Sequence, residues 1–326
     1  MKLRQILGGL LVAGLLSATS VSAQTVLRFA TSQVNPNEPV IKVMKQFAER
    51  VEERSDGKLK FALYTGDQLG AQKKVNEMIK GGARMMSVTD YGQLSQFVAD
   101  LGIVAGPYIF SELDDTQRLV QSDVFAEMAQ RLEAQGLKLI MSDGLFGYRH
   151  VISNKAIRTP EDMQGMTIRV PPSPIMLETF KAIGARPTDL SWGEVYNALQ
   201  TGVVDAAEAN YGSLASSKLD EVRKVVSQTA HQAMLATFVT STTFFNSLPE
   251  DLQTILLEEG RAAGAELTRL TLESDQDYAK QLQQNGVEII TDVDVDAFAQ
   301  KASVAYENMP GLTPGIYDRV KQAITK

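Results

Sequence analysis

Two periods of apolar and polar residues take turns along the chain. VLRFA (26–30) has the two-residue period of a strand. After a polar turn with Asn35 and Pro36, PVIKVMKQFAERVEERSDG (39–57) places Val40, Met44, Phe47 and Val51 on one helical face, and Gly57 stops it. LKFALY (59–64) predicts a second strand, AQKKVNEMIKGG (71–82) a second helix and MMSVTDY (85–91) a third strand. This β-α-β-α-β order belongs to a mostly parallel sheet covered by helices.

Further on, TQRLVQSDVFAEMAQRLEAQG (116–136) predicts one long amphipathic helix. LKLIMSDG (137–144) reads as a strand entering a glycine-bearing loop, GLFGY (144–148), and RHVISN (149–154) as another strand. In TPEDMQG (159–165) threonine caps a helix that has proline at its first position and acids in its first turn. MTIRV (166–170) is a strand that Pro171 and Pro172 terminate, because proline offers no amide to the ladder and holds Val170 extended. Arg169 therefore sits at the carboxyl end of a strand whose exit direction is fixed.

IMLETFKAIG (175–184) predicts a helix, SWGEVYNALQTG (191–202) another with Ser191 and Glu194 in capping-box spacing, and VVDAAEAN (203–210) a small-residue strand. MLATFVTSTTFF (234–245) is a strand long enough to cross between domains. The mostly helical segment 247–286, with Ser247 and Glu250 again in capping-box spacing, exceeds an ordinary globular helix. It either kinks near Gly260–Gly264 or lies along two lobes. VEIITDV (287–293) is a late strand, followed by helical segments 297–309 and 315–324. An α/β protein of two lobes with a cleft between them is the simplest arrangement. The expected division is 24–148 in the first lobe, 149–233 in the second, 234–275 returning through a spanning helix, and 276–326 in the second lobe with the C-terminal helices.

Residues 1–23 stand apart. Lys2 and Arg4 precede the apolar run ILGGLLVAGLL (6–16), and SVSA (20–23) supplies small residues for cleavage after Ala23, the pattern of a secretory signal peptide. Eleven apolar residues cannot span roughly 30 Å of hydrocarbon, so a membrane anchor is the weaker reading. Without Lys2 and Arg4, 30 basic and 39 acidic residues leave a balance of −9. That charge, with no basic stripe, argues against nucleic acid. With no cysteine, packing alone must stabilise an exported chain.

The chemistry is sparse. There are two histidines, His150 and His231, and no HExxH, GxSxG or glycine-rich phosphate loop. Nothing points to catalysis, a metal or a cofactor. What remains is a set of polar residues at the mouths of strands, where doubly wound sheets bind ligands. Arg169 offers a planar fork of donors that can grip both oxygens of a carboxylate; an ordinary surface arginine is the alternative. Arg149 follows a glycine loop that allows close approach to a ligand. Asn210 either supplies an amide to a ligand or holds a turn. Trp192 either covers a ligand's apolar face or packs between lobes. Asp90 at the end of the third strand and Gln72 at the start of the second helix complete the set, with solvated surface roles as their alternatives.

The stretch 159–210 resembles the DctP family of solute-binding proteins, the extracytoplasmic components of TRAP (tripartite ATP-independent periplasmic) transporters. The likeness is carried by TPEDMQG-x-x-IRV, by WGEVYNALQTGVVD and by the earlier GDQLGAQ (66–72), in the family's order and spacing. It implies a two-lobed periplasmic binding protein with mixed sheets, an interlobe cleft and a long helix spanning both lobes. It also implies capture of a small organic acid in the periplasm and its delivery to a sodium-driven permease; a monomer is the expected state, though the sequence does not decide dimerisation. The family's carboxylate-binding arginine falls on Arg169, its second arginine on Arg149, its asparagine on Asn210 and its aromatic on Trp192. The polar positions fall on Asp90 and Gln72. Met85 replaces a common aspartate and Ala206 a common glycine. Glu208 occupies a position where an acidic residue accompanies sugar-acid binding, with dicarboxylates still open. A periplasmic enzyme acting on such an acid, or a sensor subunit for a membrane receptor, are the competing functions.

Overall fold

Successive side chains along a strand point to opposite faces of the sheet, so a sheet covered on both sides needs strands that are buried at nearly every position, as the strand Met85–Asp90 is. The computed structural model describes residues 24–325; the expected signal peptide lies outside the described residues. Strands β1 (Thr25–Ala30), β2 (Leu59–Tyr64) and β3 (Met85–Asp90) form where the two-residue period places them, joined by helices Pro39–Arg54 and Gln72–Lys80. Val40, Met44, Phe47 and Val51 are buried, as the helical face requires.

The middle of the chain departs from the sequence expectation. Residues 137–153 form one strand, β4 (Leu137–Ser153), and the expected loop 144–148 lies inside it. Its glycines mark irregularities in the pairing, at Met141/Gly144 and Leu145/Gly147. Gly147 has φ 121°, and a Cβ there would stand 2.9 Å from Asn210 Cβ, so only glycine permits this approach. The expected helix 116–136 is two helices, Asp114–Val120 and Asp123–Ala134, because the Ser122 hydroxyl caps a new start at Phe125 N. Then come β5 (Thr167–Val170), β6 (Arg186–Asp189), β7 (Ala206–Ala209), β8 (Val225–Ser241) and β9 (Glu288–Ile290). The sequence reading passes over β6, whose Arg-Pro-Thr-Asp has no apolar alternation.

Among the described residues the strands form one sheet in the order β2-β1-β3-β8-β4-β7-β5-β6, with β9 beside β8. It is mixed: β1 is parallel to β2 and β3, and β5 to β6 and β7, but the central β8 and β4 run antiparallel to each other and to their neighbours β3 and β7. The two long strands thus join two short parallel ends, the frame of the two lobes. In β8, residues 228–231 face the single residue His150, since Arg149 pairs Gln232 and Val151 pairs Ser227. This bulge holds Ala230 at φ 44°, a conformation that side chains disfavour.

Helix Glu250–Gln284 runs unbroken for 35 residues. Its start carries no side-chain cap, and the expected Ser247–Glu250 box is absent because the Ser247 hydroxyl donates back to Phe244 O. Leu256, Ala263 and Leu267 pack with Phe29, Phe47, Ile140 and Phe238, whereas Ala279 and Leu282 pack with Leu199, Leu214 and Val226 near the other end of the sheet. Residues of the opposite parity in the strands, such as Leu139, Ile168 and Val239, face a third cluster on the other side, with Leu101, Phe125, Phe180 and Phe298. Gly260 serves contact and not a kink: a Cβ there would lie 1.9 Å from Ile140 O. Gly260→Ala should therefore lower stability by about 1–3 kcal/mol through overpacking. Leu272→Ala on the same helix, a half-exposed position, should stay within about 0.5 kcal/mol. Denaturant midpoints of the two variants check this, and equal midpoints would contradict the packing role.

Candidate ligand-binding site

Strands β1, β3, β5, β6 and β7 all end toward one cleft, so the residues that follow them converge. The cleft leaves about 80 Å³ open to a water-sized molecule and is lined by Gln33, Asp90, Arg149, Arg169, Trp192 and Gln232 among others. A concave space with a few convergent polar groups suits a small-molecule ligand.

Arg169 is 2% exposed, an unusual place for a guanidinium. Its Nε and Nη2 both donate to the carbonyl oxygen of Leu190, at 2.9 and 2.7 Å. Its Cζ lies 5.3 Å from the centre of the Trp192 ring, within cation–π range. Nη1 is buried without a hydrogen-bond partner, 4.0 Å from Glu208 Oε1. Burial pulls the guanidinium down to about 10, while the charge of Glu208 works against that fall. The group stays a cation at neutral pH with one donor edge unused. This is what an anion site requires.

Behind it lies a second arginine that is already satisfied. Arg149 holds Glu208 through Nε and Nη2, and its Nη2 also donates to the Glu208 carbonyl at 2.8 Å. Glu208 is fully buried. Burial raises its carboxyl, but Arg149, with help from His231, holds it down at about 2. Because a carboxylate only accepts, His231 Nε2 carries the proton at 3.3 Å from Glu208 Oε2 and its Nδ1 accepts from Thr229 Oγ1 at 2.9 Å. His150 Nδ1 accepts from Ala230 N at 3.1 Å. Desolvation lowers both imidazoles, His150 to about 3.

The remaining sequence candidates divide. Trp192 lines the cleft and, with Nε1 donating to Ser217 Oγ at 3.1 Å, is held against Arg169. Asp90 also lines it, its carboxylate accepting from Gln93 N and Nε2 at 3.1 and 3.0 Å. Gln72 lines it at the start of its helix and donates to Asn76 Oδ1. Asn210 is placed differently: it caps helix Tyr211–Ser216 by accepting from Ser213 N and donates to Phe146 O, so both ends of its amide are used. Glu208 is not on the cleft surface either, since its carboxylate is turned to Arg149 and His231. Sequence reasoning passed over Gln33, Gln93, Lys73 and Gln232, which line the cleft. They are single polar residues in turns and strands, and no spacing distinguishes them.

The profile of the bacterial extracellular solute-binding proteins, family 7 (DctP), matches residues 29–310. The chain belongs to that family. Among relatives of this family member, the 2,3-diketo-L-gulonate-binding periplasmic protein YiaO of Escherichia coli K12 is 30% identical over 304 residues, 92% of this chain and 91% of the relative. A TRAP periplasmic solute-binding protein from Ochrobacterium anthropi, solved with bound L-fuconate, superposes with a TM-score of 0.89 at 34% identity, covering 93% and 100% of the two chains. Another, from Actinobacillus succinogenes with bound L-galactonate, has a TM-score of 0.88 at 32% identity, covering 92% and 99%.

The buried cluster predicts how this DctP-family protein responds to substitution and acid. Glu208→Gln leaves the Arg149 charge uncompensated and should cost about 3–5 kcal/mol of stability, read from denaturant unfolding. The imidazoles are neutral when folded, so below pH 6.5 the unfolded chain binds protons that the native one refuses, and stability falls as pH falls. The advantage of wild type over His150→Asn should shrink by up to about 1.4 kcal/mol per pH unit below 6.5. An advantage constant from pH 7.5 to 5 would contradict a buried neutral His150.

Proposed function

We propose that this protein is a periplasmic receptor that captures a monoanionic sugar acid in its cleft and delivers it to the membrane subunits of a TRAP permease. The observation that carries the reading is the unpartnered Nη1 of Arg169, buried at the cleft wall. One carboxylate oxygen satisfies it. The bond is charge-assisted and strengthens as closing lobes exclude water.

The charge count supports one carboxylate over two. Arg149 is neutralised by Glu208, and in the count of lining charges Asp90 offsets Lys73, which leaves Arg169 as the one positive charge in excess. Gln33 and Gln93 each line the cleft with a buried amide oxygen lacking a partner. Such acceptors call for hydroxyl donors, which a polyhydroxy acid provides and a simple dicarboxylate does not. The relatives named with L-fuconate, L-galactonate and 2,3-diketo-L-gulonate favour the same class. In this reading Arg169 binds the carboxylate, Trp192 braces it, and Asp90, Gln72, Gln33 and Gln93 read hydroxyls. Arg149 with Glu208 sets the local charge, and Asn210 holds the wall. The lobes follow the division 24–148 with 234–275 and 149–233 with 276–326. Binding by closure needs no catalytic group.

Calorimetric titration with aldonates, uronates, dicarboxylates and glycerol 3-phosphate tests this. A sugar acid should bind at least about tenfold more tightly than dicarboxylates of similar length. Arg169→Lys should weaken binding about 10- to 100-fold, because an ammonium cannot reproduce the planar fork. Affinity for neutral sugars alone, or unchanged affinity in the lysine variant, would sink the assignment. Mass spectrometry of the recovered acid should show it unaltered; turnover would favour an enzyme.

A further inference from the structure

Glu38 ends the loop that leaves β1, directly before helix Pro39–Arg54. Its side chain is 2% exposed and its Oε1 has no hydrogen-bond partner. It lies on a seam between the two ends of the sheet. Asn35 of the same loop donates through Nδ2 to Ser216 Oγ at 3.0 Å, at the last turn of the helix that follows β7. The spanning helix closes the third side. Glu38, Asn210, Thr271, Ser274, Asp275 and Tyr278 are among the walls of a cavity with about 20 Å³ open to a water-sized molecule, room for about one water. Thr271 Oγ1 is buried there without a partner too.

No cation lies among the described residues around this cavity. The groups facing Glu38 are Asp275 and Tyr278 from the spanning helix, Ser216 from the helix after β7, and Asn35 from its own loop. The helix it precedes begins with Pro39, which has no amide hydrogen to offer. Burial pushes the Glu38 carboxyl up to about 8, although hydrogen bonds from the Ser216 hydroxyl and the Asn35 backbone act the other way. Burial raises Asp275 as well. A carboxylate sealed in this seam would be an uncompensated buried charge.

We propose that Glu38 is a proton-operated latch: the β1 loop and the helix after β7 close over the neutral acid, so bringing the lobes together takes up one proton at Glu38. With the seam open the same carboxyl stands in water and ionises in the ordinary range. From pH 8 down to 5, each unit of acidification then favours the closed form by up to about tenfold. The proposal rests on the reading of a cleft that closes on a solute, and the experiment separates the two.

The chain has no cysteine, so Val26→Cys and Val203→Cys, both exposed, can carry a pair of spin labels on the two lobes. Pulsed electron resonance, with no acid added, should show the short-distance population growing several-fold from pH 8.5 to 5.5. With Glu38→Gln added, that population should be large at both pH values. Identical wild-type distributions at the two pH values, or a response retained in Glu38→Gln, would overturn the latch. So would a shift that follows replacement of sodium by choline instead of pH. In a second arm, calorimetry with L-galactonate at pH 7 in two buffers of different ionisation heat should report close to one proton taken up, and none in Glu38→Gln. Binding without proton uptake overturns the latch and leaves the receptor reading. A pH-driven distance change with no binding of any sugar acid does the reverse.

Discussion

A guanidinium taken out of water costs free energy at every edge left unpaired, and Arg169 is held on all but one. The carbonyl of Leu190 accepts two of its donors, the Trp192 ring stacks near its plane, and Glu208 stands 4.0 Å from the remaining nitrogen. Each restraint comes from a different segment: the exit of β6, the short helical turn after it, and β7. Strand β5 is short and proline-terminated, so the arginine is delivered to that meeting point with little freedom. The architecture at this end of the sheet is organised around one donor edge kept free in a dry place.

The second layer tunes that edge. Glu208 is spent on Arg149 and His231, so the two arginines do not add their fields at the cleft. The bulge that brings His231 back toward Glu208 requires Ala230 in a strained conformation, and the His150 ring accepts the amide of that same residue. Strain at one backbone position thus supports a charge arrangement several residues away. A fully paired ionic layer behind a half-paired arginine makes an environment suited to one negative charge.

The third layer concerns motion. The β4–β8 ribbon and the spanning helix are continuous through both lobes, so the lobes cannot drift independently. Closure is then a swing about a shared frame, and what changes is the set of groups buried at its seams. Polar groups at a seam, such as Asn35 and Ser216, can trade protein partners for water at small net cost. An acid without a counter-charge cannot, and its protonation becomes part of the equilibrium.

Periodicity alone placed β1, β2, β3, β5 and the helices 39–54 and 174–183, because each buries one face and little else competes. The two prolines likewise located Arg169 at a strand end from local sterics. Arg149, Trp192, Asp90 and Gln72 were marked first by their places near strand and helix ends and then by the family motifs, and all four line the cleft. Three things were settled only by tertiary contact. Whether GLFGY is a loop or the middle of a strand depended on β8 lying alongside it, since pairing can carry glycines that no local rule would put in a strand. The tasks of Asn210 and Glu208 depended on which partners the fold set beside them; an amide or a carboxylate is chemically free to face a ligand or the protein, and only geometry chooses. Glu38, one acid in a polar turn, carried no signal at all, for burial without a counter-charge is a property of three segments far apart in the chain.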